Sequence, residues 1–252
     1  MHGGGLRPLC PGRCLVKRRA LIAGLLVILG AAAWIFRPRA RTHSLPPKPR
    51  TVAQVLAVLA GPVRKTLAPQ FRAAGVAYPP PGLVLLALKK ESRLELHAPG
   101  PNGRTRHIAS YPILAASGTA GPKLREGDHQ VPEGFYRIEL LNPNSRFHLS
   151  LRVNYPNADD LARAHEAGRN PAELGGDIMI HGGAASTGCL AVGDPAIEEL
   201  FALVAATGLD RVQLIIAPCD FRTGATVQLP DSAPVWTGAL HEKLQAAVGR
   251  FR

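Results

Sequence analysis

The first fifty residues contain no aspartate or glutamate, yet they hold ten of the chain's thirty lysines and arginines. The formal net charge of +12 is therefore local, because residues 51–252 carry twenty basic against eighteen acidic side chains, a balance of +2. A nucleic-acid-binding domain carries its basic excess on the folded part, so no nucleic-acid partner is expected. Cysteine is scarce as well. Beyond the first fifty residues only Cys189 and Cys219 occur, which allows one disulfide at most. Cys10 and Cys14 lack the second pair that a zinc site needs. His107, His129, His148, His165 and His241 show neither His-x3-His nor His-Glu-x-x-His spacing, so no metal is expected. No internal repeat is present, which sets aside repeat architectures.

What is present first is an apolar stretch, residues 20–36, seventeen residues without a charge directly after Lys17-Arg18-Arg19. A bilayer-spanning helix needs about 20 apolar residues. A cleavable signal peptide has an apolar region of about 7–15 residues and then small residues, a pattern that Ala31-Ala32-Ala33 fits. Residues 1–19 thus read as a basic cytoplasmic terminus and 20–36 as either a transmembrane signal anchor or a signal peptide. Both readings export the rest of the chain. Residues 37–50, rich in proline and charge, form a stiff, solvated linker.

Over residues 51–76, Val52, Val55, Leu56 and Leu59 recur at helical spacing behind Thr51 as a cap. Gly61-Pro62 interrupts, and Val63, Leu67 and Phe71 resume, so a small helical hairpin is expected. After the breaker cluster 78–82 come β-like runs at 83–88, 94–97, 107–115, 136–141 and 148–153, separated by turn signals such as Gly100-Pro101-Asn102-Gly103. A short helix over 158–167 and a strand at 178–180 follow. Asp194-Pro195, a capping side chain and a first-turn proline, opens a helix that runs to Gly208. A strand at 212–217 and a helix from about Thr237 complete the pattern. Asp159-Asp160 and Glu198-Glu199 read as solvated helix faces. Many short strands with few helices predict a mainly-β domain with flanking helices over 77–220, and a helical extension over 221–252.

The stretch that carries chemistry is Ile178-Met179-Ile180-His181-Gly182-Gly183-Ala184-Ala185-Ser186-Thr187-Gly188-Cys189. A strand ends at a histidine, a loop of small residues follows, and Ser-Thr-Gly-Cys precedes the capped helix. Small residues let backbone amides and a substrate approach closely. The reactive form of cysteine is the thiolate, of which an ordinary thiol of pKa about 8.5 has only ~3% at pH 7. An imidazole in hydrogen-bond range corrects this by forming an imidazolium–thiolate pair. His181 and Cys189 are the candidates. Cys219, with no Gly-rich loop beside it, reads as structural or free.

This constellation resembles the catalytic domains of L,D-transpeptidases, the YkuD family, which pair an upstream His-Gly with a downstream Ser-x-Gly-Cys. The segment 118–123 with Glu126-Gly127-Asp128 and 131–136 is similar to the family's lysine–glycine and Pro-x-Gly region. Asn154-Tyr155-Pro156-Asn157-Ala158 and the post-cysteine 194–199 are similar to its YafK-like branch. The resemblance covers roughly residues 80–220 and implies an L,D-transpeptidase-type β-sandwich in the periplasm, inner-membrane anchored or secreted. It would act on peptidoglycan stem peptides containing diaminopimelate and need no cofactor. A wall-attached protein is a further partner it allows.

By the same resemblance, Cys189 attacks a peptide carbonyl to form a thioester and His181 is its base. The Gly182 carbonyl or the Ser186 side chain orients the imidazole, and the amides of Thr187, Gly188 and Cys189 stabilise the oxyanion. The familiar family pattern is Ser-His-Gly-Cys with an arginine two residues on. Thr187 and Ala191 stand in those places here, so Arg125, Arg152 and Tyr155 become the candidates for substrate contact. Transfer to an amine, hydrolysis by water, and a non-catalytic wall-binding module remain open alternatives.

Overall fold

The computed structural model describes residues 49–251 apart from Asn102, together with Met1. The apolar stretch 20–36, the basic terminus and most of the linker lie outside the described residues, and so do Cys10 and Cys14. Among the described residues no helix is long and apolar enough to cross a membrane.

Eight strands form one mixed sheet. They are β1 (Leu83–Leu88), β2 (Arg93–Pro99), β3 (Thr105–Pro112), β4 (Gly134–Ser145), β5 (His148–Val153), β6 (Met179–His181), β7 (Leu190–Ala191) and β8 (Val212–Ala217). Their spatial order is β3-β2-β1-β8-β4-β5-β6-β7. The β1–β8 and β6–β7 pairs are parallel and the others antiparallel. The sheet falls into two ladders, β3-β2-β1-β8-β4 and β4-β5-β6-β7, that share β4. The reason lies in β4, twelve residues long, which pairs with β8 near its start and with β5 further on. Register shifts between Ile138 and Leu140 and between Asn142 and Ser145 are bulges of the kind that bend a strand and re-aim its side chains.

The central strands read as unbroken apolar runs because both their faces are covered. Leu83, Leu85 and Ala87 of β1, with Val212, Leu214 and Ile216 of β8, face the larger core. Leu86, Leu88, Ile215 and Ala217 alternate to the other face, where they meet the C-terminal helix through Leu240, Leu244 and Val248. That helix is α4 (Trp236–Val248); the others are α1 (Val52–Ala73), α2 (Ala158–Glu166) and α3 (Asp194–Thr207). α3 buries Ile197, Leu200, Phe201 and Val204 in the larger core, and α1 packs there through Val55, Val63, Leu67 and Phe71.

Two helix expectations are corrected. The hairpin at 51–76 is one continuous helix, α1, opened by a Thr51–Gln54 capping box and carrying Pro62 and Pro69 inside it. Both prolines are exposed and seven residues apart, so the carbonyls they leave unbonded face water, where the cost of a helical proline is smallest. At α3 the N-cap is Gly193, and Asp194 is the first helical residue. Its carboxylate is spent elsewhere, on the candidate site. The carboxylates read as solvated are also engaged in part. Glu198 pairs with His148 Nε2 at 2.7 Å, Tyr111 Oη donates to Glu199 at 2.9 Å, and Tyr136 Oη donates to Asp160 at 3.2 Å.

Candidate active site

The loop between His181 and Cys189 is closed by a strand pair too short for any periodicity to announce. β7, two residues long, runs parallel to β6 with Ile180 beside Leu190 and His181 beside Ala191. Val192 N donates to His181 O at 2.9 Å, and on its other side Ala191 exchanges bonds with Leu114 N at 2.7 Å and Ala115 O at 3.0 Å. Continuing the register by one residue places Cys189 beside Met179. The eight-residue span from His181 to Cys189 therefore leaves the sheet and re-enters it next to where it began.

His181 is 3% exposed. Its Nδ1 lies 2.7 Å from the Gly182 carbonyl; a carbonyl only accepts, so Nδ1 carries the proton and neutral imidazole keeps its free lone pair on Nε2. Phe147 stacks on the ring at 4.6 Å between centroids. Ser150, its cross-strand partner on β5, is 1% exposed, and its hydroxyl has no partner among the described residues. Asp194 ties the loop to α3, its Oδ1 accepting from Gly183 N at 2.8 Å. Gly182 is packed so closely that a Cβ there would strike Asp194 Oδ1 and come within 2.6 Å of Phe147 O.

Cys189 is half-buried and free, and Cys219 is free and buried. Cys189 N donates to Ser186 Oγ at 3.0 Å, while its thiol points at the Asp177 carbonyl at 3.6 Å. No hydrogen bond joins it to His181 among the described residues. Burial pushes the thiol above its ordinary value of 9.0, and the Asp177 carboxylate adds to this, against lowering from the Met179 backbone and Lys123. The surroundings of the thiol thus disfavour its thiolate form. Gly188, at φ +84, takes a left-handed turn natural to glycine. Its N–H donates to Ser117 Oγ at 2.6 Å, and that hydroxyl donates to His129 O at 2.7 Å.

The geometry divides the sequence candidates. Gly182 holds the imidazole through its carbonyl, whereas Ser186 holds the Cys189 amide instead of the ring. Of the three expected oxyanion amides, those of Gly188 and Cys189 are already engaged by hydroxyls, and Thr187 is the one not so engaged among the described residues. His181, Ser186, Thr187 and Cys189 line one cavity of about 490 Å³, together with Asn142, Asn144, Arg146, Phe147, Asp177 and Met179.

None of the three expected substrate-contact residues lines that cavity. Arg125 faces a separate one of about 460 Å³. Arg152 is paired with Glu139 at 2.9 Å and Asp177 at 3.3 Å. Tyr155 is buried, its hydroxyl donating to Lys123 O at 3.4 Å, and shares a third cavity with Arg152. Ser117, Arg146 and Asp177 escaped sequence reasoning. Ser117 is 71 positions from Gly188 and carries no local signal. Arg146 sits at the tip of the β4–β5 connection, where turn chemistry between two β runs was the available cue.

A histidine with a set tautomer and a cysteine thus share one cavity, carried by a mixed sheet. The chain belongs to the YkuD family, the L,D-transpeptidase catalytic domain, which matches residues 89–228. It is 38% identical over 116 residues to the candidate L,D-transpeptidase YafK of Escherichia coli (strain K12). That match spans 44% of this chain and 44% of YafK, less than half of either. Among solved structures, the helical cell shape determining protein Pgp2 of Campylobacter jejuni aligns with a TM-score of 0.45 at 18% identity, over 67% of this chain and 52% of that one. Bd1075 of Bdellovibrio bacteriovorus aligns with a TM-score of 0.40 at 20% identity, over 67% and 54%.

Proposed function

We propose that the chain is a peptidoglycan-modifying cysteine acyltransferase acting on diaminopimelate-containing stem peptides. The observation that carries this reading is the β6–β7 clamp, which sets Cys189 and a tautomer-fixed His181 on one cavity wall. As Cys189 Sγ turns from the Asp177 carbonyl to attack the carbonyl of diaminopimelate, its proton passes to His181 Nε2. Burial disfavours the free thiolate, which supports a transfer that accompanies attack. The S–C bond forms, the C–N bond to the following residue breaks, and the departing amine takes the proton from His181. An amine or water then opens the thioester, losing its proton to His181, and the thiol is restored. Amine capture makes a crosslink or a wall-attached protein; water trims. Residues 20–36 would tether or export the domain to the periplasmic side of the inner membrane.

The test incubates the full-length chain in detergent with defined muropeptides and follows protein and products by mass spectrometry. A thioester adduct on wild type but not on Cys189→Ala is expected, with loss of the residue that follows diaminopimelate. Identical products from both proteins refute the assignment. An amine adduct on the product indicates transfer, and gain of water indicates hydrolysis.

A further inference from the structure

Besides His181, the cavity beside Cys189 is lined by one cationic and one anionic side chain, Arg146 and Asp177. We propose that these two form a subsite for a zwitterionic amino-acid head group, carboxylate on Arg146 and ammonium on Asp177. Resting on the function proposed above, the ligand is the free end of the diaminopimelate side chain.

Arg146 sits with Phe147 in the two-residue turn between β4 and β5. It is exposed and makes no ion pair among the described residues. A planar guanidinium in that state matches a carboxylate through two parallel hydrogen bonds. Its location is not loose. Phe147, the next residue, stacks on His181. Arg50 also clasps the end of β4: Arg50 N donates to Asn144 Oδ1 at 2.8 Å, Asn144 Nδ2 returns a bond to Arg50 O at 2.8 Å, and Arg50 Nη2 donates to Pro143 O at 2.6 Å. The arginine that the family carries two residues after the cysteine is replaced by Ala191, buried in β7. Arg146 supplies a cation to the same cavity from a different element.

Asp177 is fixed from two sides. Its backbone takes φ +56, a left-handed turn that aspartate tolerates, and Arg152 holds its Oδ1 at 3.3 Å while also pairing with Glu139. The side chain stays 80% exposed, so carboxylate surface remains open to a ligand. Opposite charges in one cavity discriminate both ways. A simple anion meets Asp177, a simple cation meets Arg146, and a head group bearing both charges satisfies each. An ammonium bound at Asp177 also offsets one of the charges that raise the neighbouring thiol's pKa.

The experiment measures binding without turnover. Full-length Cys189→Ala in detergent is titrated calorimetrically with three tetrapeptide muropeptides, bearing diaminopimelate, side-chain-amidated diaminopimelate, or lysine at the third position. The diaminopimelate peptide should bind about 10- to 100-fold more tightly than the other two, the range for a charge-assisted pair. Arg146→Ala in the same background should collapse that ratio to about 1, and Arg146→Lys should restore part of it. Asp177→Asn should weaken the diaminopimelate and lysine peptides more than their N-acetylated side-chain derivatives. Equal affinities in the parent, or an Arg146→Ala that weakens all three peptides alike, would overturn the proposal. Because no chemistry is required, failure of the wild-type chain to form a thioester would count against the function alone.

Discussion

Gly182→Ala isolates the role of local crowding in setting the base. The glycine is not there for its backbone angle, since its φ is not in the left-handed region. It is there for space. An added Cβ would strike Asp194 Oδ1, sit 2.6 Å from Phe147 O and 3.2 Å from His148 Cβ. Two of the three contacts are oxygens, and the Phe147 one is backbone that cannot swing away. Relief requires a shift on the order of 0.5 Å and costs about 1–3 kcal/mol as overpacking. If Asp194 retreats, its bond to Gly183 N is lost, adding about 1.5–3 kcal/mol for a charged acceptor. With roughly 2–4 °C per kcal/mol for a domain of this size, loss of both contributions should lower the melting temperature by about 5–24 °C. The same shift moves the carbonyl that holds His181 Nδ1, and misplacement of a catalytic group by up to 1 Å costs on the order of 100-fold. Gly183→Ala is the control. Its φ is +69 and its nearest neighbour, Phe147 Cδ1, is at an ordinary 3.5 Å, so only about 1–2 kcal/mol of left-handed strain is expected. Calorimetric melting and thioester formation on both variants decide the matter. Equal melting temperatures, or a Gly182→Ala protein that acylates normally, would refute the reasoning.

Three further outcomes are expected. Ser117→Ala should cost about 1–3 kcal/mol by orphaning the Gly188 amide and slow acylation, with Ser117→Thr keeping most of both; thermal melts and acylation kinetics read this, and an unchanged rate would detach Ser117 from the site. Iodoacetamide should label half-buried Cys189 in the native chain and buried Cys219 only after unfolding. The Cys189 rate should climb through a midpoint above 9.0, and Asp177→Asn should move it down; peptide mapping across pH gives both. Glu133 is held below its ordinary 4.5, where burial alone would raise it, because the His241 and Lys89 bonds and the Gly121 amide outweigh burial. A carboxyl depressed on folding stabilises the protein above its unfolded value and loses that contribution as pH falls through the folded one. Melting temperature should thus drop on acidification below about 4.5, with a shallower drop in Glu133→Gln.

The sequence disclosed what depends on neighbours in the chain and concealed what depends on distant ones. β1 and β8 were legible as apolar runs because both faces are buried, and β5 as an alternation because Leu149, Leu151 and Val153 share the core side. His181 and Cys189 were legible because a strand ending in histidine and a glycine-rich turn are local patterns. β7 was not, since two residues have no period. α1 was split at Gly61-Pro62 because proline reads as a breaker when its exposure is unknown. Asp194 was assigned to helix capping on local grounds, yet it serves Gly183, eleven positions away. Arg146 was not legible because the cavity a guanidinium lines is decided by the register of a sheet, which charge alone does not encode.

The two halves of the site are prepared unequally, and the inequality has a chemical use. His181 is buried, stacked and bonded at Nδ1, so its receiving nitrogen is ready before any substrate arrives. Cys189 is held back, its thiol turned to a carbonyl and its proton tightened by burial and by Asp177. A thiolate is open to oxidation, whose susceptibility follows thiolate character and exposure; surroundings that disfavour the thiolate lessen it. The cost is a larger step to the reactive form. Binding energy from the rest of the substrate can supply it, since interactions realised at the transition state raise the rate where uniform binding does not. On the subsite proposed above, the groups that collect that energy are Arg146 and Asp177. If they do, Asp177→Asn should raise reactivity toward iodoacetamide while lowering it toward the diaminopimelate peptide, an opposition that a merely structural Asp177 would not produce.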